Sequence, residues 1–161
     1  MIPLKLPVGI SDFQEIRKNN YYYIDKSELI EEILRTEATK VTLITRPRRF
    51  GKTLAMSMLD SFFDIRKESQ ALFEELKIAG YTERCVAWMN RYPTVFLTLK
   101  DVDGLSFTSA YDMLSSTITD LYKEHLYLLD STRINSYDKE ILRRIIEGRG
   151  SVTEMKKSLF F

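Results

Sequence analysis

With 161 residues, the chain is long enough for one domain with a sizeable core. Its 24 Lys and Arg nearly cancel 23 Asp and Glu, leaving a formal net charge of +1, so no bulk charge argues for nucleic acid or a membrane surface. One cysteine and one histidine exclude an intrachain disulfide framework and a cysteine-based zinc site, and no apolar run reaches secretory or transmembrane length. The expectation is a cytoplasmic protein with no membrane partner.

Taken in chain order, the first twenty residues read as irregular, broken by Pro3, Pro7 and Gly9. Tyr21-Tyr22-Tyr23-Ile24 is a short aromatic strand or loop. Asp25-Lys26-Ser27-Glu28 has the pattern of a capping box that opens a helix, and Leu29, Ile30, Ile33 and Leu34 give that helix one apolar face. Val41-Thr42-Leu43-Ile44-Thr45 is short, β-branched and apolar, as a strand buried on both sides would be. From Gly51 the period changes: Leu54, Ala55, Met58, Leu59, Phe62 and Phe63 form the stripe of a helix packed on a sheet. A helix around Glu83 to Asn90 would turn Val86 and Met89 inward.

Thr94 to Leu99 is the second expected strand. A long amphipathic helix then runs from Phe107 through Tyr122, and a shorter one from Asp138 to Glu147 stops at Gly148. Residues 151–161 read as the start of another helix ending at Leu159-Phe160-Phe161. The order strand, helix, helix, strand, helix predicts an α/β domain with a parallel sheet. Two strands are fewer than the five or six usual in such sheets, so the expected sheet is incomplete and the chain is read as part of a larger domain.

The chemistry centres on Arg46-Pro47-Arg48-Arg49-Phe50-Gly51-Lys52-Thr53. A P-loop asks for a strand, then G-x-x-x-x-G-K-[ST], then a helix. Here the second half matches, while Arg46 stands where the first glycine would be. Helix-opening amides at Gly51 and Lys52 would attract phosphate oxygens, Lys52 would reach the β- and γ-phosphates, and the Thr53 hydroxyl would hold Mg²⁺. Pro47 would stiffen the loop, and Arg48 and Arg49 would add positive charge near a triphosphate. A Gly-Lys-Thr string arises by accident in roughly one chain in ten of this length, and the flanking strand and helix patterns cut that further.

Other candidates carry less. His125 falls on the apolar face of the long helix and reads as a packed core residue, and Cys85 reads as a small buried hydrophobe. Leu126 to Asp130 continues the helical register and is not a Walker B strand. Asp101 follows the second strand and is the candidate acidic metal ligand, although Lys100 intervenes and Asp103-Gly104 reads as a turn.

Pro7-Val8-Gly9-Ile10-Ser11-Asp12-Phe13, Tyr22-Tyr23-Ile24-Asp25-Lys26-Ser27, Thr45 to Thr53, Met56-Ser57-Met58-Leu59 and Leu97 to Val102 together resemble the AAA-ATPase-like proteins. These are P-loop proteins that often carry a C-terminal PD-(D/E)XK nuclease-like domain, and the resemblance includes the missing first glycine. It implies that residues 1–161 are the N-terminal part of a P-loop domain, with the Walker B half and any nuclease-like domain absent. It implies a nucleotide site at Gly51, Lys52 and Thr53, with Asp25 and Lys26 close to the nucleotide base. The expected cofactors are ATP and Mg²⁺, and nucleic acid would be a partner through the absent C-terminal domain. Two functions stay open: an ATPase or ATP-driven switch, and a non-hydrolysing nucleotide- or nucleic-acid-binding interaction module.

Overall fold

The computed structural model describes residues 5–36 and 40–158, and divides into one compact unit that runs to Phe96 and a second that begins at Leu97. Pro3 and Leu159-Phe160-Phe161 lie outside the described residues.

The first unit is helical. The opening segment is not irregular throughout, because α1 spans Phe13–Lys18. Its signal was short but present: Asp12 caps it by accepting from the Glu15 N–H at 3.0 Å, and Phe13 and Ile16 are one turn apart and fully buried. Next comes α2 (Glu28–Arg35), with Ile30 in the core and Leu29 and Leu34 packed against it. After the loop, α3 covers Lys52–Phe63 and buries Ala55, Met58 and Phe62. The short α4 (Gln70–Phe73), a 3-10 turn (Lys77–Gly80) and α5 (Thr82–Trp88) follow.

Aromatic rings join these helices. Phe13 and Phe73 sit with ring centres 4.9 Å apart, and Phe62 meets Phe73 edge-on at 5.4 Å. Met58, Leu76 and Ile78 complete the cluster. Polar groups on α3 also bind the unit together. The Phe13 N–H, an unpaired donor at the start of α1, donates to Ser57 Oγ at 3.0 Å. At the far end, the Asn90 amide donates to Ser61 O and Asp64 O and accepts from the Ser69 N–H. In α5 and just after it, Met89 packs on the core as expected, beside Cys85 and Trp88, whereas Val86 faces solvent.

The expected α/β architecture, a P-loop NTPase-type parallel sheet with flanking helices, is not what the chain forms. Among the described residues no strand is present, and the β pairing is a single isolated bridge between Asp64 and Tyr92. Residues 41–45 are not a buried strand: Val41 is 81% and Leu43 82% exposed. They lie beside α2, across a shallow cleft lined by Leu29, Glu32 and Ile33. Residues 94–99 hold the passage from one unit to the next, with Val95 and Leu99 exposed. The physical reason is that β-branched residues set a local preference for extended backbone, whereas a strand exists only when a second backbone takes up its N–H and C=O groups.

The second unit is built on α6 (Phe107–Glu124), α7 (Ser136–Ile146) and α8 (Val152–Lys157). Ile118 of α6 packs with Ile141 and Ile145 of α7 and Met155 of α8. Each helix starts at a side-chain cap, Ser106, Asn135 and Ser151 respectively. Leu126–Asp130 is a 3-10 turn, in agreement with its reading as a non-strand. His125 closes α6 as a buried residue, its Nδ1 2.9 Å from Leu121 O, as the core reading expects.

Candidate functional site

The start of α3 is shaped by two left-handed residues. Arg49 has φ +67° and Gly51, the N-cap of α3, has φ +74°. Glycine adopts that region at no steric cost, whereas arginine is strained there, and such strain concentrates at ligand-binding loops. Residues 46–50 are all exposed, so the loop is held by polar contacts rather than by burial. Lys52 Nζ turns back and donates to Arg46 O at 2.5 Å and Pro47 O at 2.9 Å. Gly51 O accepts from the Ala55 N–H at 2.9 Å and begins the helical ladder.

A cleft of about 1030 Å³ opens beside this loop, lined by Arg48, Arg49, Gly51, Lys52 and Thr53 and by Pro7, Gly9, Ile10 and Ser11. A smaller cleft of about 400 Å³ shares Pro7, Arg49, Gly51 and Leu54 with it and is further lined by Tyr22, Tyr23, Ile24, Lys26 and Phe50. Thus the structure brings Arg48, Arg49, Gly51, Lys52 and Thr53 to one cleft, and Lys26 and Phe50 to its neighbour. Arg46 and Pro47 contribute backbone carbonyls to Lys52 rather than side chains to either cleft. A further cleft of about 950 Å³ is lined by Ser69, Cys85, Asn90, Arg91 and Lys67, the last of these paired with Asp60.

Asp25 and Ser27 prove to be braces. Asp25 accepts from the Ser27 N–H and the Lys77 N–H, both at 2.8 Å, and Ser27 Oγ accepts from the Ile78 N–H at 3.1 Å. The expected capping box therefore does not close on α2, because these side chains are spent on the neighbouring turn. Partial burial pushes the Asp25 carboxyl up, but the Lys77 and Ser27 donors outweigh it and hold it below the usual carboxylate range. Lys26, between them, donates to Phe50 O at 2.9 Å. Sequence reasoning missed these tethers, and only the adjacency of Asp25 to Ser27, two residues that favour local backbone bonds, signalled them.

Cys85 donates to Ile78 O at 3.3 Å, and burial pushes its thiol up, away from nucleophilic chemistry. Asp101 sits exposed in a turn of the second unit. No group of three or more His, Cys, Asp or Glu able to hold a metal occurs among the described residues. A magnesium ion bound mainly by nucleotide oxygens needs no such group, and the exposed Thr53 hydroxyl on the first turn of α3 fits that lighter demand. Among the described residues no helix is long and apolar enough to cross a membrane.

The chain belongs to the AAA-ATPase-like family, whose model, described as "Predicted AAA-ATPase", matches residues 7–158. It is also 33% identical over 92 residues to an "Uncharacterized protein in vnfD 5'region" of Azotobacter chroococcum mcd 1. That match covers 56% of this chain and 16% of the relative, so the chain corresponds to a small part of the longer protein. No solved structure matches it.

Proposed function

We propose that residues 46–53 bind the polyphosphate of ATP with Mg²⁺, and that the chain serves as the nucleotide-binding part of an ATPase or ATP-driven switch. The observation that carries this reading is the left-handed Gly51 opening α3, with Lys52 folded back on two loop carbonyls. Those carbonyls hold the ammonium at the mouth of the loop, where phosphate oxygens would replace them as its acceptors. Free amides of the first helical turn add a fixed positive end, and Arg48 and Arg49 line the same cleft. In this reading the metal is held by nucleotide oxygens and the Thr53 hydroxyl, and nothing is required of Asp101.

One observation favours a second reading: Arg46, Arg48 and Arg49 are all exposed, as a non-hydrolysing nucleotide- or nucleic-acid-binding module would display them. A titration with a fluorescent ATP analogue, with and without Mg²⁺ and with single-stranded DNA as competitor, separates the two. Magnesium-strengthened ATP binding that DNA does not displace supports the first reading, and DNA binding without ATP binding refutes it. Steady-state phosphate release then tells an ATPase from an interaction module.

A further inference from the structure

Lys26 stands apart from the cations of the Arg-rich loop. It lies twenty-four residues before Phe50, yet its ammonium donates to Phe50 O, and it sits 3.3 Å from where a β-carbon on Gly51 would be. Its neighbours on both sides are anchored: Asp25 to Lys77, and the fully buried Ser27 to Ile78. The lysine is thus presented from a braced base, although its own side chain is exposed.

The consequence follows from peptide geometry. No cis bond occurs among the described residues, so the Phe50–Gly51 peptide holds its C=O and the Gly51 N–H on opposite sides. Lys26 and Phe50 line the smaller cleft, Lys52 and Thr53 line the larger one, and Gly51 lines both. A carbonyl drawn towards Lys26 turns the Gly51 N–H away from the ammonium. Glycine tolerates either sign of φ, so this peptide could flip cheaply and present a carbonyl oxygen where an anion would need a donor.

We propose that Lys26 is a positioning residue of the phosphate loop: it holds the Phe50–Gly51 peptide with its N–H turned to the cleft that takes phosphate. This rests on the reading of residues 46–53 as an ATP site and adds a residue that acts through the loop backbone. It separates Lys26 from a contact to the nucleotide base, since a positioning lysine matters equally to a ligand that has no base.

The test compares wild type, Lys26→Met, Lys26→Arg and Lys52→Ala, with ATP and with inorganic tripolyphosphate as probes. For an exposed charge-assisted bond, Lys26→Met is expected to weaken both probes by about fivefold and by the same factor. The unliganded melting temperature should not change, and Lys26→Arg should restore most of the affinity. Unchanged binding overturns the proposal, as does a loss for ATP that tripolyphosphate does not share. Unfolding of Lys26→Met without ligand would also overturn it, making the residue plain scaffold. Failure of wild type to bind either probe would defeat the ATP-site reading itself. Binding that responds to Lys52→Ala but not to Lys26→Met would defeat this inference alone.

Discussion

Replacing Lys52 by alanine tests the site most directly. The ammonium makes two charge-assisted bonds, to Arg46 O and Pro47 O, and must give up both to reach a triphosphate. Exposed bonds to neutral carbonyls are worth about 1 kcal/mol each. Contacts from the same cation to anionic phosphate oxygens, shielded by the bound nucleotide, are worth roughly 1.5–3 kcal/mol apiece. The difference for two contacts is about 1–4 kcal/mol, centred near a loss of ten- to a hundredfold in affinity. Folding should be little affected, because Lys52 contributes no side chain to the aromatic core of the unit. Calorimetric titration with ATP and magnesium, run beside thermal melting of the unliganded protein, reads both quantities. An ATP affinity within twofold of wild type would refute the assignment of residues 46–53.

Arg46→Gly should keep ATP binding within a few-fold, since the loop uses the Arg46 carbonyl, which the substitution preserves; a loss above about tenfold would assign the guanidinium to phosphate instead. Gly51→Ala puts a side chain at φ +74° and 3.3 Å from Lys26 Nζ, so it should cost about 1 kcal/mol and lower the melting temperature by about 3 °C. A melting temperature equal to wild type would show that the N-cap conformation is not required. Asp25 has its carboxyl held below the usual range, so its stabilising contribution is complete above the ordinary carboxylate pKa and is lost as pH falls through the lowered folded value. Asp25→Asn should therefore flatten the acid limb of the stability curve, measured by melting at successive pH values, and an unaltered limb would disprove the tether.

Helices were legible wherever an apolar stripe coincided with a breaker or cap, because both signals are local. The Leu54 to Phe63 stripe became α3, and the left-handed Gly148 follows the C-cap of α7. Two readings failed for opposite reasons. α1 is only six residues long, too short for a period to stand out, and it depends on Ser57, forty-four residues away, to satisfy its first amide. Val41 to Thr45 had a clear strand composition, but strand formation is a property of pairs of segments and the sequence of one says nothing of the other. Gly51-Lys52-Thr53 marked the start of α3, while the capping box read at Asp25 to Glu28 did not form, because Asp25 and Ser27 bond elsewhere. Their partners, Lys77 and Ile78, lie about fifty positions along the chain.

The loop conformation can be weighed from its own contacts. Residues 46–50 are all exposed, so the hydrophobic effect contributes little to their path. A left-handed arginine costs about 1–2 kcal/mol, while Gly51 costs no steric strain. Against that cost stand three exposed lysine bonds, two from Lys52 and one from Lys26, at about 1 kcal/mol each. The balance leaves the loop only about 1–2 kcal/mol below its alternatives, whereas a micromolar ligand supplies roughly 8 kcal/mol. In the proposed ATP site, a bound polyphosphate would therefore outweigh the loop's own contacts. The rigid part of the site is what lies beneath: α3, fastened through Met58 and Phe62 to the core and through Ser57 to α1. On that fixed helix start, the Lys26 bond to Phe50 O is one of the three contacts that bias the nearly balanced loop before any ligand arrives.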